Sequence, residues 1–230
     1  MSYAIPLWTP AALAVAGTNE AFPVRRIFCV GRNYVEHQKE MGGDGREQPF
    51  FFMKSAHCLV PGGGDIRYPP KTANFHYETE LVVALGSGGH RISASQATSH
   101  VFGYAVGFDM TRRDLQQLGK DHGMPWTFGK DFDQAAPCSA LAPAARIGHP
   151  SSGAIWLEVN GKQRQRADLG DLIWSVPELI AHLSEHYTLE AGDIIYTGTP
   201  GGVGPVKPGD ALHAGIDAVG ELRVRILPPL

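Results

Sequence analysis

Apolar residues in this chain fall in short β-branched and aromatic runs, separated by glycine, proline and asparagine rather than by long polar stretches. Runs bounded by turn residues in this way read as strands. The pattern predicts strands over 26–30, 50–54, 79–85, 101–110, 155–159, 193–197, 211–215 and 221–226. Asn160-Gly161 separates the run 155–159 from Lys162-Gln163-Arg164. A type I′ turn needs positive φ at both central residues, so this dipeptide predicts a hairpin. Helical spacing is clear over 177–187, where Val176, Leu179, Ile180, Leu183 and Tyr187 recur on one face, Ser175 can cap and Pro177 suits the first turn. Weaker helices are predicted over 33–41, stopped by Gly42-Gly43, over 95–100, and over 112–121, ending near Gly123. The chain is therefore α+β and predominantly β. No repeat is visible, and residues 1–24 read as an N-terminal extension packing on a single domain over 25–230.

Charge narrows the partners. Twenty basic against 23 acidic residues give a formal charge of -3, with no block of like charges. Nucleic acid and anionic membrane surfaces lose their electrostatic basis, leaving small molecules or proteins. Cys29, Cys58 and Cys138 are odd in number and far apart, which argues against a disulfide framework or a thiolate zinc site and for a reducing compartment. No apolar run approaches the roughly 18 residues of a membrane span, and the first residues lack the basic start of a secretory signal. A cytoplasmic location is expected.

Glu78-Thr79-Glu80 precedes the apolar run Leu81 to Leu85, and i, i+2 residues of a strand share a face. Two carboxylates so placed call for a cation. Asp109 closes another apolar strand, where burial is expensive without a metal or a basic partner. Three oxygen ligands favour Mg²⁺, Mn²⁺ or Ca²⁺ over zinc. Spacing alone leaves open a solvated strand end for the glutamates and a helix cap for Asp109. His37 and Glu40, three apart, can form a general base oriented by a carboxylate, or simply two polar residues on a solvated helix. Lys130, among Phe128, Gly129 and Phe132, can aim an ammonium at an oxyanion or lie on the surface. Thr197 to Gly204 lacks the Lys-Ser/Thr of a phosphate loop, and Pro200 and Pro205 forbid the helix that should follow. A compact turn presenting hydroxyls and backbone N–H groups fits it better. His182-Leu183-Ser184-Glu185-His186 matches a zinc-protease pattern, but its histidines fall on the flank and outer face of the helix. Neither Ser55 nor Cys138 has an identifiable base beside it.

Several motifs occur in one order: Cys29-Val30-Gly31-Arg32-Asn33-Tyr34, His37 and Glu40, Phe51-Phe52-Met53-Lys54, Glu78-Thr79-Glu80-Leu81, Asp109-Met110-Thr111 with Arg113 and Gln116, Lys130, and Thr197-Gly198-Thr199-Pro200 followed by Gly202-Val203-Gly204-Pro205-Val206. From about residue 25 to the C-terminus the chain resembles the fumarylacetoacetate hydrolase family, and within it looks most similar to the short acylpyruvate and fumarylpyruvate hydrolases. The resemblance implies a mixed β-sandwich roll, a homodimer and a divalent metal, Mg²⁺ first, held by Glu78, Glu80 and Asp109. It further implies a water-activating dyad of His37 and Glu40, an oxyanion lysine at Lys130, and substrate contacts from Arg113, Gln116 and Thr199. Lys54-Ser55 departs from the usual Lys-Pro. Arg32 and Tyr34 are candidates for a second substrate carboxylate. The implied reaction is hydrolysis of a carbon–carbon bond in a 2,4-diketo acid, fumarylpyruvate giving fumarate and pyruvate in gentisate-type aromatic catabolism. Oxaloacetate decarboxylation or isomerisation of an unsaturated 2-oxo diacid on the same metal site is the alternative. A non-catalytic β scaffold that binds a partner protein is the second.

Overall fold

The computed structural model describes residues 3–35 and 46–230. Its larger sheet is mixed, in the order Phe50–Lys54, Arg26–Gly31, Asp193–Tyr196, Thr79–Leu85, Val101–Phe108, Ala136–Cys138, Leu59–Pro61, with Ala142–Pro143 also pairing to Val101–Phe108. Thr79–Leu85 is buried at every residue, as befits a strand covered on both faces, and so reads as an unbroken apolar run. A second sheet of five strands runs Lys162–Asp168, Ala154–Val159, Ala211–Ile216, Gly220–Leu227, Gly64–Arg67. Gly220–Leu227 keeps Leu222, Val224 and Ile226 inside and turns Arg223 and Arg225 outward, the alternation of a sheet with one wet face.

The chain crosses between the sheets at Gly62-Gly63-Gly64, all three with φ between 74 and 91°. A Cβ on Gly63 would collide with the Arg223 carbonyl, so only glycine makes this corner. The helix Val176–His186 is capped by Ser175 and Glu178 as a reciprocal box, and Tyr187 at its end lies 5.2 Å from Phe28, ring to ring. The hairpin at Asn160-Gly161 forms with φ of 53 and 72°. Residues before Val24 form a small hairpin, Ala12–Ala14 with Ala21–Pro23; Leu13 is fully buried, and Ala16 N–H donates to the Leu141 carbonyl at 2.8 Å.

The long elements fall where the sequence places them, with the strand expected over 101–110 ending at Phe108 and the helix expected over 112–121 occurring as Arg113–Asp121. The segment 95–100 is a short α-turn, Ala94–Ala97, followed by a 3₁₀ turn. Of the helix predicted over 33–41, residues 36–41, with His37 and Glu40, lie outside the described residues. Three-residue strands such as Phe75–Tyr77 and Gly204–Val206 were not anticipated; with Thr111–Arg112 they make a small third sheet beside the site. Among the described residues no helix is long and apolar enough to cross a membrane.

Candidate metal centre and active site

Antiparallel pairing aligns Thr79 with Phe108 and Glu80 with Gly107, so Glu78 and Asp109 meet just beyond the ladder, where Asp109 N–H donates to the Glu78 carbonyl at 2.9 Å. Register alone therefore brings the third carboxylate to the other two. One oxygen each of Glu78, Glu80 and Asp109 lie within 4.8 Å of one another, and all three residues are buried. The solvated strand end is thereby excluded. The helix-cap reading of Asp109 fails as well, because the N-cap of Arg113–Asp121 is Arg112.

Cations neutralise this cluster from three directions. Lys130, only 2% exposed, places Nζ 2.7 Å from Glu78 Oε2, 2.6 Å from Asp109 Oδ2 and 2.7 Å from Thr111 Oγ1. Burial lowers the Lys130 pKa, but Asp109 and Glu78 raise it by more, and the ammonium persists. Arg113 pairs with Glu78 Oε1 and donates to Gln116 Oε1 at 2.6 Å. The third cation is Lys54, whose role the sequence reading missed. Its buried Nζ lies 2.8 Å from Asp109 Oδ1 and donates to the carbonyls of Met110 and Lys130. Among the described residues, Asp109 Oδ1 nevertheless accepts no hydrogen bond of good geometry.

Glu80 has the least cationic help. Burial first, then Asp109 and Glu78, hold its carboxyl well above the ordinary range, against a hydrogen bond from Gly198 N–H at 2.8 Å. A buried oxygen trio with one under-satisfied oxygen and one carboxyl whose pKa is raised by burial and by its neighbours fits a hard divalent cation.

The surrounding loops are stitched by amides. Asn33 donates to the carbonyls of Trp174 and Thr197 and accepts from Trp174 N–H. Gln165, buried in the second sheet, donates to Thr199 Oγ1 and the Pro200 carbonyl and accepts from Thr79 N–H. The turn around Thr197 to Gly202 thus presents a hydroxyl and an N–H at the site edge, as its composition suggested. His76, 3.5 Å from Arg113 Nε and pushed down to about 4 by burial and by Arg113, is neutral and buttresses that guanidinium. His76 and Gln165 left no signal in the sequence because the site residues they contact, Arg113 for His76 and Thr79 and Thr199 for Gln165, are distant in the chain. One cavity brings together Arg32, Glu78, Glu80, Arg113, Lys130 and Thr199, and Gln116 also lines it. Tyr34 is buried, and its hydroxyl has no partner among the described residues. His182 stacks edge-on against Trp174 at 4.7 Å, while Glu185 and His186 face solvent. His37 and Glu40 lie outside the described residues.

The family model for the fumarylacetoacetate hydrolase C-terminal domain matches residues 26–227. The chain belongs to the fumarylacetoacetate hydrolase family. It has that family's fold and is an enzyme, so the scaffold alternative falls. A fumarylpyruvate hydrolase of Ralstonia sp is 47% identical over 79% of this chain and 94% of its own. A mitochondrial oxaloacetate tautomerase of Mus musculus is 42% identical over 88% of this chain and 91% of its own. A fumarylpyruvate hydrolase of Pseudomonas aeruginosa, solved with Mn²⁺ and pyruvate, superposes with a TM-score of 0.96 at 48% identity, covering 99% of this chain and all of that one.

Proposed function

We propose that this family member hydrolyses the C3–C4 bond of a 2,4-dioxo acid, with fumarylpyruvate and water giving fumarate and pyruvate. The observation that carries the reading is the buried Glu78, Glu80 and Asp109 trio with Lys130 and Arg113 converging on it. The fumarylpyruvate hydrolases at 47 and 48% identity support the choice of substrate. Glu78, Glu80 and Asp109 would hold Mg²⁺ or Mn²⁺, which supplies Lewis acidity to the 2-oxo acid end and favours departure of pyruvate as its enolate. Arg113, Gln116 and Thr199 orient that head group. His37, oriented by Glu40, takes a proton from the water that attacks C4. Lys130, released from the carboxylates it bridges, steadies the oxyanion that forms there. Collapse breaks C3–C4, and a proton returns to C3 of the departing pyruvate.

The second reading is oxaloacetate chemistry on the same site, which the 42% identical tautomerase favours. The test is disappearance of fumarylpyruvate with pyruvate detection, in Mg²⁺ or Mn²⁺, beside oxaloacetate and beside His37→Ala. Turnover of fumarylpyruvate that needs both metal and His37 supports the hydrolase. Consumption of oxaloacetate alone, unaffected by His37→Ala, supports the second reading.

A homodimer belongs to the same proposal. Phe50–Lys54 is an edge strand with Phe50 and Met53 exposed, a surface suited to a second copy. Light scattering at twice the 24.8 kDa chain mass is the expected result.

A further inference from the structure

The cavity over the carboxylate trio adjoins a second cavity of about 180 Å³, and the two share Gly31, Arg32 and Trp126 in their linings. Phe50, Ile173 and Trp174 line the outer space. A substrate with its 2-oxo acid head over the trio has its tail at this wall. An extended tail such as a trans-unsaturated acyl chain brings its far end to it.

Two cations lie close to this wall: Arg32 lines both cavities, and Lys120 sits against Trp126. Arg32 has φ 58°, the left-handed region that non-glycine residues seldom occupy without a reason elsewhere in the structure. Its backbone is pinned on both sides. A Cβ on Gly31 would lie 2.7 Å from the Phe50 ring, and Asn33 is tied to Trp174 and Thr197. Lys120, on the helix Arg113–Asp121, sets Nζ 5.1 Å from the Trp126 ring centroid.

Among the described residues neither Arg32 nor Lys120 makes an ion pair with a carboxylate, whereas Arg113 and Lys130 are committed to Glu78 and Asp109. Glu47 also lines the outer cavity, and its backbone carbonyl accepts a hydrogen bond from Trp174 Nε1. The groups facing Lys120 are Arg113, Arg32, Lys130 and Glu78. Burial first, then Arg113 and Arg32, bring its pKa down to about 8, with Glu78 opposing them. Like charges gathered on a half-buried wall repel one another, and an anion placed between them relieves the repulsion.

We propose that Arg32 and Lys120 form the recognition site for a second carboxylate at the end of the substrate remote from the metal. The chain then selects dioxo acids with a distal carboxylate over neutral acylpyruvates. This deepens the proposed function and rests on it.

The test compares the Mn²⁺-loaded protein with Arg32→Gln and Lys120→Gln. With fumarylpyruvate and acetylpyruvate as substrates, each substitution should lower the ratio of their kcat/KM values at least tenfold, chiefly through KM for fumarylpyruvate. A ratio unchanged in both variants overturns the proposal. Arg32 occupies a special backbone conformation, so Lys120→Gln keeps the test decisive if the other variant does not fold.

Calorimetric titration with 2-oxoheptanedioate and 2-oxoheptanoate separates the subsite from the chemistry. The dianion should bind at least tenfold tighter to the wild type, and the preference should vanish in the variants. Equal affinities in the wild type overturn the subsite. A preserved preference without turnover of either acylpyruvate overturns only the hydrolase reading.

Discussion

Lys54 runs its whole side chain through the core to set one ammonium beside Asp109. Truncating one member of a buried ion pair leaves an uncompensated charge, so Lys54→Met should cost about 3–5 kcal/mol in metal-free protein. Saturating Mn²⁺ should shrink that cost, because a cation at the trio compensates the same carboxylate; urea midpoints with and without Mn²⁺ read both values. Lys120 obeys the opposite logic. Its pKa of about 8 lies below the ordinary 10.5, so between these pH values the unfolded chain holds a proton that the folded chain has lost. Stability from this group therefore rises with pH across that window. Lys120→Met should raise the urea midpoint at pH 7, and the gain should fade towards pH 10. A residue that weakens the fold in its charged form at neutral pH fits a binding role better than a structural one. Glu78, Glu80 and Asp109 were legible because buried acids in apolar strands are costly. Lys54 was not, because the charge that explains it, Asp109, lies just past a strand end 55 positions further along the sequence.

The hairpin Ala154–Val159 to Lys162–Asp168 shows how far sequence pattern carries at the scale of elements. Its turn was readable from Asn160-Gly161, yet its function was not, because the register slips between Leu157 and Glu158. Gln163 and Gln165 pair across that slip with Arg164 left over, a bulge of the kind that re-aims side chains. Gln165 then bridges the second sheet to Thr79 and to the Thr199 turn. Gln165→Ala leaves a buried N–H and a buried carbonyl without partners, and should cost about 1–3 kcal/mol. It should also raise KM by loosening Thr199, a change that a purely structural loss elsewhere in the hairpin would not produce. Urea midpoints and steady-state kinetics on one preparation separate the two effects. Short strands such as Phe75–Tyr77 escaped notice for a simpler reason: three residues carry too little period to distinguish strand from loop, and only their tertiary partners make them strands.

At the scale of the whole molecule, charge at the site couples metal, substrate and stability. Once a divalent cation holds all three carboxylates ionised, Lys54, Lys130 and Arg113 match them, three negative charges against three positive. The cation's own charge then leaves a positive site, which is what an anionic substrate requires. Metal binds the folded chain and not the unfolded one, so Mn²⁺ at a hundred times its Kd adds about 2.7 kcal/mol. For a chain of this length that corresponds to a rise in Tm of roughly 5–11 °C. Glu80→Gln removes one ligand charge and should abolish most of the shift, and EDTA should reverse it in the wild type. Pyruvate should raise Tm further only when the metal is present, because without it the carboxylate meets cations already engaged by the trio. A pyruvate shift of equal size in EDTA would show that Arg113 and Lys130 suffice for anion binding, and the ordered assembly of the site argued from its charges would be wrong.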